Sequence, residues 1–241
     1  MFVELQVTLS PNRRALSSII LHCLLGILIA ITLVGCSVTK PQIADTKPGA
    51  IKVYPDLPLI DNEEVRYFIS YYKTTGKSFL LASWKRQDEF GGQVEDILRS
   101  HGIPRIFLSL ATVESGFRPE AKSPCGAAGL WQFMPATAEK FGLRVGLFHD
   151  DRYNVESSTS AAARYLKELH DKFGDWYLAL AAYNAGPARI KSVLKANNAH
   201  SYFELSRLGV LSTENTEFVA KVVAVATISE NPGRYGFQPK L

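Results

Sequence analysis

The sequence predicts an all-α domain, and three observations carry that prediction. Apolar residues recur at helical spacing along most of the chain from Asp61 onward. Helix-opening and helix-closing residues bracket those stretches. Val and Ile runs with period-two alternation are hard to find, so no substantial sheet is expected.

The elements follow in order. Glu64, Val65, Phe68, Ile69 and Tyr72 fit a short amphipathic helix opened by Asp61 or Asn62. Val94, Ile97 and Leu98 mark a second helix, ended by Gly102. Pro104 sits where a first-turn proline belongs and opens a segment through Gly116. Further helices are predicted over 134–141 and 157–173, the latter with Ala162, Leu166, Leu169 and Phe173 on one stripe. Asp175 caps a run over 176–184, Pro187 opens 187–196, and 215–229 carries Phe218, Val222, Val225 and Ser229 on one face. No repeat and no second domain is visible.

Composition narrows the function classes. The 241 residues are 46% hydrophobic, 21% charged and 11% aromatic, with a formal net charge of +4, which excludes a disordered chain. No Lys/Arg block tracks a phosphate backbone, so nucleic acid is not expected as a partner. Three cysteines neither build a disulfide framework nor pair with histidines at zinc-finger spacing.

The start of the chain reads as an export signal. Arg13 and Arg14 precede an uncharged stretch from Ile19 to Val34, slightly short for a comfortable membrane span. It ends in Leu33-Val34-Gly35-Cys36, which resembles the bacterial lipobox, whose cysteine is lipidated and becomes the first mature residue. The expected division is a lipoprotein-type signal peptide over 1–35, a lipidated Cys36 with a flexible tether over 36–60, and one domain over 61–241. Pro41, Pro48, Pro55 and Pro58 give the tether its extended character. An uncleaved anchor and an ordinary cleaved signal are the alternatives. Ser37 in place of the Asp that retains such lipoproteins at the inner membrane implies the periplasmic face of the outer membrane. Removing 1–35 takes away two arginines and one glutamate and lowers the formal charge from +4 to +3. With Cys23 lost and Cys36 acylated, Cys125 is read as a small packed thiol rather than a nucleophile or a disulfide partner.

One acid stands out. Phe107, Leu110 and Glu114 lie at i, i+3 and i+7, so a carboxylate shares a stripe with core residues. Such a Glu either meets a cation or helix N-termini, or loses hydration and holds its proton near neutrality. The second case is what general-acid chemistry needs.

The residues that follow carry a resemblance. Glu114-Ser115-Gly116-Phe117, the run from Ser123-Pro124-Cys125-Gly126 through Gly129-Leu130-Trp131-Gln132-Phe133-Met134-Pro135, and Ala182-Tyr183-Asn184-Ala185-Gly186-Pro187 resemble the lytic transglycosylases of the SLT superfamily. The type most similar is the membrane-bound lytic murein transglycosylase D type. The likeness extends from about Asp61 to Pro239 and includes Phe173-Gly174-Asp175-Trp176 and the tail from Asn231 to Gly236.

That resemblance implies a lysozyme-like (SLT) helical domain whose cleft takes glycan strands of peptidoglycan. It places Glu114 as the single catalytic acid, Ser123 as a hydroxyl beside it, and Gln132, Met134 and Tyr183 along the sugar subsites. Asn184 falls in the same motif with a partly structural role. For Trp131 and Phe133, core packing is the preferred reading over sugar contact. The implied reaction cleaves the bond between N-acetylmuramic acid and N-acetylglucosamine without water. Glu114 protonates the bridging oxygen and then takes the proton of the C6 hydroxyl, which closes onto C1 as a 1,6-anhydro end. No cofactor or metal is required, and protein partners stay unassigned.

Two departures stand beside it. The family's Glu-Thr-x-x-Tyr-Val-Pro run is here Glu214-Asn215-Thr216-Glu217-Phe218-Val219-Ala220, with Phe218 for Tyr and Ala220 for Pro. The peptidoglycan-holding LysM repeats common in this type are not expected after Leu241, which leaves retention to the cleft and the anchor. The alternatives are a lysozyme-type hydrolase, which would need a second acid such as Glu120, Asp150 or Asp151, and a non-catalytic peptidoglycan-binding scaffold lipoprotein.

Overall fold

The structure is a computed structural model and describes residues 59–238. The signal, Cys36 and the tether up to residue 58 lie outside the described residues. Among the described residues the regular structure is helical, with only the isolated bridges Lys122–Ala128, Ala128–Phe133 and Val145–Asp150 as β-type pairing.

The helices are α1 (Glu63–Lys73), α2 (Lys77–Ser100), α3 (Phe107–Ser115), α4 (Pro135–Lys140), α5 (Val155–Phe173), α6 (Trp176–Ala185), α7 (Pro187–Ala196), α8 (Tyr202–Arg207) and α9 (Thr213–Glu230). The starts of α1, α5, α6, α8 and α9 are fixed by side chains that satisfy first-turn N–H groups. The Asn62 side chain accepts from Val65 N at 2.9 Å, Asn154 from Ser157 N at 2.8 Å, and Asp175 from Tyr177 N at 2.6 Å. Asn62, not Asp61, is therefore the first cap.

Three elements differ from expectation. α3 begins at Phe107 rather than at Pro104, which stays outside the helix with its carbonyl accepting from Phe107 N at 3.1 Å. α2 begins at Lys77, well before the apolar triad that predicts it, because Leu80, Trp84 and Gly91 continue its buried stripe toward the N-terminus. α8 was not predicted: six residues carry too little periodicity, and Tyr202 and Leu205 anchor it by packing.

The core forms around α9, which packs against α1, α3 and α6, while α5 packs against α2 and α6. The predicted face of α9 extends right round the helix, with Val219, Val222, Val223, Ala224, Val225 and Ile228 all buried. A helix apolar on all sides belongs at the centre of a domain. α6 is similar, with Trp176 through Ala182 buried without interruption. These two helices are the frame against which α3 presents its C-terminal end.

Candidate active site

α3 carries Phe107 and Leu110 fully into the core, and the same stripe brings Glu114 to its last turn, half-buried. The helix stops immediately afterwards. Gly116 closes it in the left-handed region at φ 63°, and Phe117 follows at φ 59°. A bulky residue seldom adopts that conformation; here the ring is fully buried and stacked on Phe90 at 5.3 Å, which holds it. Arg86 donates to the Gly116 carbonyl at 2.8 Å, and Arg118 N donates to the Ser115 hydroxyl at 3.1 Å. The acid therefore sits at a helix end fixed from several directions.

The two readings of Glu114 are resolved by its surroundings. No Lys, Arg or His pairs with its carboxyl among the described residues. Burial without a counter-charge pushes its pKa up to about 8, so the acid is protonated at neutral pH. The Tyr183 phenol lies close enough to feel that carboxyl; burial first, then Glu114 and Tyr165, hold its pKa well above the ordinary value.

Opposite the acid in sequence runs the segment 118–134, a chain of turns rather than a helix. Ser123 N donates to the Ala127 carbonyl at 2.8 Å, and Ala127 N returns a bond to the Ser123 hydroxyl at 3.0 Å, which leaves that hydroxyl's own proton for another acceptor. Gln132 sits at φ 48° and spends its side-chain amide on the carbonyls of Gly129 at 2.9 Å and Ala121 at 3.3 Å. Its part in this structure is to close the segment on itself, with the amide oxygen left for other contacts. Met134 is exposed and immediately precedes α4.

Trp131 and Phe133 are core, as preferred: Trp131 is fully buried and its indole donates to Thr159 Oγ1 on α5 at 3.0 Å. The Trp131 carbonyl accepts from the Tyr183 hydroxyl at 2.7 Å, and Tyr183 packs against Tyr165 at 5.2 Å. The Asn184 Oδ1 accepts from Asn215 Nδ2 at 3.0 Å, joining the end of α6 to α9. The structure therefore links Glu114 to Tyr183, Tyr183 to the segment that ends at Gln132 and Met134, and Asn184 to α9.

Cys125 is exposed on this segment, which corrects the expectation of a packed residue.

Sequence reasoning missed Arg152. It is buried, donates to Gly126 O at 2.8 Å and Phe133 O at 2.9 Å, and is clasped by Asp150 at 2.7 Å. One guanidinium fork thus pins both ends of the segment. An Arg directly after two acids in a polar stretch gives no sequence signal of that role. The same geometry accounts for the other acids. Asp150 is held below the usual carboxylate range by Arg152, and Asp151 by Arg144 with help from His149. Both are engaged as bases of ion pairs, and Glu120 is exposed. Among the described residues no cluster of His, Cys, Asp or Glu is arranged to hold a metal ion.

An all-α domain with one desolvated carboxylic acid at a helix end, faced by a tied turn segment and a tyrosine, has the outline of a lysozyme-like fold. Comparison with known proteins makes it particular. The family model of the Transglycosylase SLT domain matches residues 95–206. The chain is 32% identical over 177 residues to membrane-bound lytic murein transglycosylase D of Escherichia coli (strain K12), covering 73% of this chain and 39% of that protein. It is 36% identical over 102 residues to the soluble lytic murein transglycosylase of the same strain, covering 38% of this chain and 15% of that protein. The structure of the 70-kDa soluble lytic transglycosylase in complex with bulgecin A superposes with a TM-score of 0.52 at 20% identity, over 75% of this chain and 32% of that one, a likeness of fold. The chain carries a transglycosylase SLT domain. It spans about two fifths of the length of the type D relative.

Proposed function

We propose that the protein is a peptidoglycan lytic transglycosylase, a carbon–oxygen lyase that cleaves the β-1,4 bond between N-acetylmuramic acid and N-acetylglucosamine and leaves 1,6-anhydro ends. The observation that carries this reading is Glu114, a carboxylic acid kept protonated at neutral pH by burial alone. The SLT match and the two murein transglycosylase relatives support the substrate class.

Glu114 donates its proton to the bridging oxygen as the C1–O bond breaks, and the muramyl acetamido oxygen bonds to C1 in its place. The ionised Glu114 then accepts the C6 hydroxyl proton, while O6 bonds to C1 and the acetamido group leaves. Every proton borrowed is returned, and an intramolecular nucleophile needs no separately activated water. The engagement of Asp150 and Asp151 in ion pairs supports this one-acid route over hydrolysis. Ser123, Gln132, Met134, Tyr183 and Asn184 are assigned to the glycan. Ser123 and Gln132 offer a hydroxyl proton and an amide oxygen, Met134 offers exposed apolar surface, and Tyr183 and Asn184 set the wall behind the acid.

The protein is placed in the bacterial cell envelope, which the membrane-bound type D relative supports. A lipid anchor at Cys36 on the periplasmic face of the outer membrane follows from the lipobox-like run before it.

Mass spectrometry of fragments released from purified sacculi tests the reaction, with Glu114→Gln alongside. Products lighter by one water than their reducing-end counterparts, lost in the variant, are expected. Ordinary reducing ends would establish a hydrolase, and sacculus binding without release would establish a scaffold.

A further inference from the structure

α3 separates two different environments. Glu114 faces the candidate active site, whereas Ser109 and Thr112 stand about 140–160° around the helix from it at 100° per residue. That far face walls a cavity of about 520 Å³ completed by α2 and the end of α9. Its size falls within the roughly 300–1,000 Å³ common for small-molecule sites.

The polar groups in this cavity have unspent capacity. Thr112 gives its proton to the Leu108 carbonyl at 3.2 Å, and the Trp84 indole donates to Ser229 at 3.2 Å. Ser109 differs. It is 5% exposed, and its hydroxyl has no hydrogen-bond partner among the described residues while lining the cavity. A hydroxyl at a cavity wall with no protein partner keeps its proton and its lone pairs for a ligand.

The charges point to the kind of ligand. Glu95 and Glu230 line the cavity against one cation, Arg105, which is bound to Glu95 at 2.9 Å. Glu230 pairs with no cation among the described residues. It is also the last residue of α9, whose final turn holds no basic side chain, so the negative helix end adds to its field. The Trp84 ring and Leu108 also line the cavity, and they suit an aliphatic stem and, at the indole, a cation.

We propose that this cavity is a second binding site, for a primary ammonium group on a short aliphatic stem, with Glu230 and Ser109 receiving the ammonium and Trp84 and Leu108 the stem. Two sources carry that chemistry: a free diamine, or the side-chain amine of a diamino acid in a peptide attached to a cell-wall glycan. The site does not depend on the reaction proposed above, since it shares none of that reaction's groups.

The test uses the full chain labelled with 5-fluorotryptophan, whose three tryptophans give separable fluorine resonances. Titration with 1,5-diaminopentane should move the Trp84 resonance saturably, and the neutral 1,5-pentanediol should not. Glu230→Gln should weaken the response by about fivefold or more, Ser109→Ala should weaken it too, and Glu114→Gln should leave it intact. A muropeptide with a free side-chain amine that saturates at lower concentration than the diamine assigns the peptide source, and the reverse order assigns the free amine. An unmoved Trp84 resonance, or equal movement by the diol, would overturn the proposal whatever the fate of the transglycosylase reading.

Discussion

The Tyr183 hydroxyl donates to the Trp131 carbonyl at 2.7 Å, so α6 and the turn segment that ends at Gln132 are joined by one buried bond beside the acid. Trp131 is held again through its indole by Thr159, which places its backbone between two helices. Tyr183→Phe keeps the ring packing against Tyr165 and Phe133 but leaves that carbonyl unsatisfied. Urea unfolding should show a loss of about 1–3 kcal/mol. Turnover of sacculi should fall by roughly tenfold or more, since a loss of 1.4 kcal/mol in positioning is already tenfold.

Glu114 gives a pH dependence whose sign can be worked out. Its folded pKa, about 8, lies above the ordinary 4.5, so the folded state holds a proton that the unfolded chain releases between those values. The native state is therefore progressively penalised as pH rises from about 4.5 to 8, and the penalty is absent below 4.5. Glu114→Gln removes it. The variant should match the wild type in stability near pH 4 and exceed it near pH 8, by on the order of 3 kcal/mol after discounting for the part of the carboxyl that reaches water. Thermal unfolding across that range measures the gap, and a constant gap would refute the burial account.

In the proposed reaction the same titration governs rate. Activity should fall as pH rises through about 8, because the proton donor is lost there. Glu114→Gln should lower release of product by at least about 10³-fold, with far-ultraviolet circular dichroism unchanged.

Gly129 and Gly142 separate backbone conformation from space. Both have positive φ, 81° and 83°, but a Cβ on Gly129 would lie 1.8 Å from the Arg152 carbonyl oxygen while one on Gly142 meets nothing within 4 Å. Gly142→Ala should cost about 1–2 kcal/mol from conformation alone. Gly129→Ala must displace the segment that Arg152 pins, and should either fail to accumulate as folded protein or lose well over 3 kcal/mol.

Arg152 is itself a probe of the tie. Removing the cation strands Asp150 and takes a donor from the Gly126 and Phe133 carbonyls, so Arg152→Met should cost about 3–5 kcal/mol. Arg152→Lys should recover only part of it, because an ammonium cannot reach Asp150, Gly126 and Phe133 in one plane. Chemical denaturation of the two variants gives the comparison.

The sequence by itself determined the helices, their caps and the acid. Asn62, Asp175, Gly116 and the i, i+3, i+7 stripe of α3 act through neighbours a few residues away, and local spacing encodes such contacts. It also determined the resemblance that assigns roles to Ser123, Gln132, Met134, Tyr183 and Asn184. Whether Glu114 is paired or protonated was open at that level, because the answer depends on which charges approach from elements far along the chain. Only the tertiary structure decided that no cation does, that Arg152 locks Gly126 to Phe133, and that Ser109 on the other side of α3 faces a cavity. Desolvation and long-range hydrogen bonding are properties of surroundings assembled from distant segments, and a linear pattern carries no record of what will surround a side chain.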